Sequence, residues 1–158
     1  MKNTILIRWN ELQQQIDLRN YYMGESAKRK DIDADTIESS DDERELFAML
    51  LDSACNELVS SVALRFETAS YKITPEYIGI TFTTENNSRQ GLLPQLRQAI
   101  VDYLVNEITM HWLLLRQPQM AQANLSLRNA LYSNVQQLFA KFYNSRKVRR
   151  RPTDLAGI

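Results

Sequence analysis

Between Asp41 and Ser145, apolar residues recur every three or four positions in three successive runs, with few helix breakers between them. Phe47, Leu50, Leu51, Ala54, Leu58 and Val62 form the first stripe. Leu96, Ile100, Leu104, Ile108, Trp112 and Leu115 form the second, and Leu127, Leu131, Leu138, Phe139 and Phe142 the third. An α-helix turns once in 3.6 residues, so this spacing gathers each set on one face. Four glycines and four prolines in the whole chain are too few for a loop-rich β sandwich. Three helices are therefore expected, over 41–66, 94–117 and 119–145. Helices of this length reach about 35 Å at 1.5 Å per residue. Stripes that long are buried by packing side by side, so the expected fold class is mainly α, an antiparallel bundle of three long helices.

Local signals punctuate the runs. Ser40-Asp41-Asp42-Glu43 reads as a capping box, in which the serine hydroxyl accepts the Glu43 amide proton and the Glu43 carboxylate accepts that of Ser40. Pro94 suits the first turn of the second helix and Pro118 stops it. Between the first two helices, Tyr71-Lys72-Ile73 and Tyr77 to Phe82 alternate with the period of a strand around Thr74-Pro75-Glu76. A small β-hairpin insert is expected at about 71–82, and two strands alone are marginal unless something covers them. Residues 85–91 are polar and read as a loop.

The segment before residue 28 is ambiguous. Ile5, Trp9, Leu12 and Ile16 are helically spaced, whereas Thr4 to Trp9 fits a short strand. The glutamine- and leucine-rich stretch Asn10 to Arg19 favours helix, with Gly24 as its end. This part is expected as an extended N-terminal arm that does not fully share the core. The division along the chain is then 1–40 arm and acidic linker, 41–145 helical body, and 146–158 basic C-terminal tail.

Nineteen basic and nineteen acidic residues cancel, yet they are segregated. Asp31 to Glu45 holds eight acidic residues against Arg44 alone, and Lys141 to Arg151 holds six basic residues and no acidic one. Segregated charge on a neutral chain suits head-to-tail packing with further copies. Asp31, Asp33, Asp35 and Glu38 are the candidate inter-subunit strap. Arg146, Lys147, Arg149, Arg150 and Arg151 are the candidate contacts to a partner or to DNA phosphates. The simpler alternative is two solvated ends of opposite sign.

Chemistry is thinly represented. His111 is the single histidine and Cys55 the single cysteine. A mid-helix histidine usually packs or is solvated, and a cysteine on an apolar stripe behaves as a small hydrophobe. No phosphate-binding glycine loop, serine elbow or zinc-protease helix motif occurs, so no enzyme and no cofactor are expected. Asp31, Asp33 and Asp35 begin like a calcium loop. Thr36 then stands where the sharp turn needs glycine, and Asp42 where a bidentate glutamate belongs, so no metal is expected. One cysteine excludes an internal disulfide and fits a reducing compartment. Ile5-Leu6-Ile7 is cut short by Arg8, unlike a signal peptide. No apolar run approaches the roughly 18 residues of a bilayer crossing, so no membrane partner is expected.

The stretches Leu18-Arg-Asn-Tyr-Tyr-Met-Gly-Glu, Ser39-Ser-Asp-Asp-Glu-Arg-Glu-Leu, Leu92-Leu-Pro-Gln-Leu-Arg and the ending Arg149-Arg-Arg-Pro-Thr-Asp-Leu-Ala-Gly-Ile resemble small virion proteins of tailed phages from gut Bacteroidales. The order of elements is similar to a helical head–tail connector: a long helix, a short extended insert, then a helix ending in Trp112 near a proline. The resemblance implies a homo-oligomeric neck ring of about a dozen copies, made in the host cytoplasm and built into the virion. Such a ring joins portal to tail proteins around the DNA channel. The chain departs from the smallest connectors in its N-terminal arm and longer third helix, which leaves another neck or tail position open.

Overall fold

The computed structural model describes residues 2–29, 44–63, 66, 68–84 and 90–143. It is mainly helical, with four helices and a small three-stranded antiparallel sheet. The chain begins with strand β1 (Lys2–Arg8) and passes directly into helix α1 (Trp9–Arg29). Helix α2 (Arg44–Ala63), strands β2 (Ala69–Ile73) and β3 (Tyr77–Thr83), helix α3 (Leu93–Arg116) and helix α4 (Gln122–Tyr143) follow. A short 3-10 turn, Pro118–Ala121, links α3 to α4.

Helix α3 is the centre. From Ala99 to Leu113 every residue but Asp102 and His111 is buried, so the helix is covered on all sides. Pro94 lies in its first turn, where a missing amide proton costs nothing, as expected. Tyr103 packs on Tyr132 and the Asn106 side chain bonds to the Asn124 carbonyl, so α3 and α4 run in opposite directions. Glu57 meets Arg128 and Ser61 meets Gln136, so α2 and α4 run the same way, both against α3. Phe47 near the start of α2 packs on Trp112 near the end of α3, with ring centroids 6.3 Å apart.

The sheet has the order β1-β3-β2. Lys2 to Arg8 pair in register with Thr83 to Tyr77, and Ala69 to Ile73 with Phe82 to Ile78. One layer of side chains points inward: Asn3, Ile5 and Ile7 from β1, and Ile78, Ile80 and Phe82 from β3, all buried. A hairpin of two strands is only marginally stable in water, and β1 supplies the third strand.

The N-terminal segment is thus no extended arm. Its strand reading holds for Lys2–Arg8 and its helical reading from Trp9 onward, and Ile5, Ile7, Leu12 and Ile16 all enter the core. Period-2 burial in β1 changes to period-4 burial in α1 at the strand–helix junction, which is why one pattern did not fit the whole segment. Gly24 does not end α1, which continues to Arg29; a single interior glycine costs only about 1 kcal/mol relative to alanine. Helix α2 is long and apolar enough to cross a bilayer by length and composition. Here its Phe47, Leu51, Cys55, Leu58 and Val62 are core side chains. The expected capping box at Ser40 to Glu43 lies outside the described residues.

Candidate functional site

Both functional segments expected from the sequence fall outside the described residues: the acidic strap with Asp31, Asp33, Asp35 and Glu38, and the basic tail with Arg146, Lys147, Arg149, Arg150 and Arg151. What the described residues offer is an ionic cluster between helices and an apolar end of the helical body.

The cluster centres on Glu107, whose side chain is only 1% exposed on α3. Its Oε1 accepts a 2.7 Å bond from Arg128 Nε on α4, and its Oε2 lies 3.4 Å from His111 Nε2, one helical turn on. The Arg128 guanidinium also reaches the exposed Glu57 carboxylate of α2 at 3.4 Å. A buried carboxylate is tolerable only with such a partner, and the arginine fork ties three helices at one level. Burial, with the nearby Glu107 charge, pushes the Tyr103 hydroxyl well above its usual range, so it stays protonated. This arrangement orients helices. His111 is half-exposed and lies beside a carboxylate already engaged by an arginine.

Cys55 is fully buried, and burial together with the Asp52 charge pushes its thiol up to about 12. It is a thiol, not a thiolate, at neutral pH, and no nucleophile. Among the described residues no group of three or more His, Cys, Asp or Glu is placed to share a metal ion.

The apolar end is made where the start of α2, the end of α3 and the start of α4 come together, as the Phe47–Trp112 contact and the Pro118–Ala121 turn require. Met49 is 71% exposed, Leu115 67% and Leu127 50%, with Leu114 and Leu125 also open to water. Leu115 and Leu127 belong to the stripes expected to face inward, and the structure turns both outward. Helix α3 ends at Arg116, one residue past Leu115, so no further turn of helix lies over that leucine. Leu127 sits in the second turn of α4, just past the corner, whereas inward contacts of α4 run through Val135, Phe139 and Phe142. Exposed leucines and a methionine on the elements that meet at this end offer apolar surface to a partner. Spacing alone did not reveal it, because a stripe records which residues share a face but not how far the covering elements extend.

A second feature guards the sheet. The first strand is an edge, and the Leu6 carbonyl on its free side accepts a 3.0 Å bond from Arg97 Nε of α3. The same guanidinium grips both oxygens of Glu11, and that hydrogen bonding holds the Glu11 carboxyl below its ordinary value. An edge occupied by an arginine is a poor template for another strand. No family model, curated protein or solved structure matches this chain.

Proposed function

We propose that the protein is a non-catalytic structural subunit of a phage head–tail connector. It acts by ring assembly between portal and tail proteins around the DNA channel of the virion, after synthesis in the host cytoplasm. In this reading α2, α3 and α4 form the body as an antiparallel three-helix bundle. The acidic run Asp31 to Glu38 and the basic run Arg146 to Arg151 strap neighbouring copies together, because opposite charges on one chain are satisfied head to tail. The carrying observation is the apolar end. A chain that hides Phe47, Trp112 and Phe139 completely still leaves Met49, Leu115 and Leu127 at least half in water on the elements that meet there, which favours burial against another subunit.

Sizing chromatography with light scattering, followed by negative-stain microscopy, tests the reading. Closed rings, or a stable high-mass species dispersed by Leu115→Ser with Leu127→Ser, support it. A strictly monomeric protein at high concentration that binds neither portal nor tail components overturns it.

A second reading, a nucleic-acid-binding accessory protein, is favoured by the six cations between Lys141 and Arg151. It predicts salt-sensitive DNA affinity that is lost on deleting residues 146–151.

A further inference from the structure

We propose that the outer face of the sheet is a binding surface for single-stranded nucleic acid, independent of the basic tail and of ring assembly. The pairing register decides which side chains share that face. Lys2, Thr4, Leu6 and Arg8 of β1 lie opposite Thr83, Thr81, Gly79 and Tyr77 of β3, and Ser70 and Lys72 of β2 lie opposite Thr81 and Gly79. Among the described residues no helix covers β1 or β2 on this side: Lys2, Thr4, Leu6, Arg8, Ser70, Lys72 and Tyr77 are all exposed.

The chemistry of the face is one-sided. It carries three cations, Lys2, Arg8 and Lys72, and among its described residues no acid. The turn adds one acid, Glu76, at the end of the groove beside Arg8 and Tyr77. Lys2 and Arg8 are six residues apart on one strand, about 20 Å, and Lys72 lies two strands across, about 10 Å to the side. Between them runs a band of hydroxyls, with Thr4 Oγ1 and Thr81 Oγ1 3.3 Å apart and Thr68 paired with Thr83. Such a surface suits a polyanion with sugar and phosphate oxygens, and it offers an acidic protein little apolar area to bury.

The apolar element on the face is placed for a base. Gly79 has no side chain, and the Tyr77 ring and Leu6 side chain lie beside it; an added Cβ would meet them at 3.8 and 3.6 Å. Both side chains stay exposed and line a groove of about 450 Å³ with Arg8, Asn10, Pro75 and Glu76. That volume suits a small ligand such as one nucleotide unit. A base stacked on Tyr77 would place its phosphate beside Arg8, while the strand continues over the hydroxyl band toward Lys2. An unpaired base has a free face to stack, whereas a duplex does not, which is why the proposal specifies a single strand. The Arg97 side chain on the edge of β1 makes addition of a strand at that edge the poorer alternative.

The test is fluorescence anisotropy with a labelled oligothymidine, using full-length protein in which Arg146, Lys147, Arg149, Arg150 and Arg151 are all changed to Gln. This removes the tail contribution. Affinity that survives in this background and falls at least tenfold in Lys2→Gln, Arg8→Gln, Lys72→Gln supports the proposal. So does a log–log salt slope shallower by about two, since each phosphate contact on a single strand contributes about 0.7. Tyr77→Leu, which keeps an apolar side chain beside Gly79, is expected to weaken binding about tenfold with little change in the salt slope, because stacking is lost and charge is not. Circular dichroism melts establish that the variants stay folded; all four altered side chains are exposed. No measurable binding at low salt, binding indifferent to these variants, or equal affinity for a blunt duplex overturns it. Loss of rings leaves this outcome unaffected, and loss of oligothymidine binding leaves the assembly reading unaffected.

Discussion

The two ends of the helical body spend similar side chains in opposite ways. Where α2 and α4 finish, Phe66, Phe82, Phe139 and Phe142 lock together; the Phe82 ring lies 5.1 Å from Phe66, 5.3 Å from Phe139 and 5.6 Å from Phe142. All four are buried, because β3 brings Phe82 in from the sheet as a second layer over the helices. Where α2 and α4 begin, no strand among the described residues is laid over the corner. Met49, Leu114, Leu115, Leu125 and Leu127 face water there. An apolar stripe becomes core only where another layer reaches it. Where none does, the same residues stay in water.

The strongest way to break this comparison is at the closed end. Phe82→Ala removes the ring that touches three others and is expected to lower the unfolding free energy by about 3–5 kcal/mol in urea titration. A loss under about 1 kcal/mol would mean that the aromatic end is no better locked than the open one.

Next comes the ionic cluster. Arg128→Met strands the buried Glu107 carboxylate and is expected to cost about 2–3 kcal/mol. This is at or below the lower end for a broken buried pair, because Arg128 itself is one-third exposed. Glu107→Gln should cost less, since the freed guanidinium can turn to water and to Glu57. The reverse order in thermal melts would show that Glu107 is not the dehydrated partner.

At the open end, Leu115→Ser with Leu127→Ser is expected to leave monomer stability within about 0.5 kcal/mol, as for ordinary surface changes. The same pair should abolish self-association in sedimentation velocity. A large loss of monomer stability would instead place these leucines in the core.

The smallest effect is the acid dependence of the edge guard. The Arg97 hydrogen bonds depress the folded-state value of the Glu11 carboxyl below its ordinary 4.5. Its stabilisation is therefore present above that value and is lost as pH falls through the lower folded value. Glu11→Gln should flatten the stability profile below about pH 4.5 and forfeit at pH 7 the small stabilisation that the native carboxylate keeps there. Both side chains are about one-third exposed, so the change is expected to be modest and weaker in high salt. An unchanged profile in the variant would show that Arg97 holds the Leu6 carbonyl without help from Glu11.

Much of the fold was legible before any coordinates. The stripes of α2 and α3, the proline at the start of α3, the stop at Pro118 and the hairpin around Thr74-Pro75-Glu76 all follow from local rules of period and backbone geometry. The N-terminal segment was misjudged as an arm because its seven strand residues are too few for a firm period. Their partner, β3, lies 69 to 81 residues away. The Glu107–Arg128 pair was missed for a similar reason: 21 residues and a helix corner separate two charges that look like ordinary surface residues. In the candidate sheet face, Lys2, Arg8, Lys72 and Tyr77 carry no motif; only the register unites them.

What the sequence determined by itself acts within a few residues: the stripes of α2 and α3, the prolines that bound α3, the alternation of β3, and the opposed charge runs at 31–45 and 141–151. Those depend on backbone dihedrals and near-neighbour sterics, which a linear pattern records. The tertiary structure alone decided that β1 closes the sheet, that α3 is covered all round, and that Leu115 and Leu127 stay outside. These outcomes depend on which distant surfaces meet, and each stripe is equally apolar whether or not a neighbour arrives to cover it.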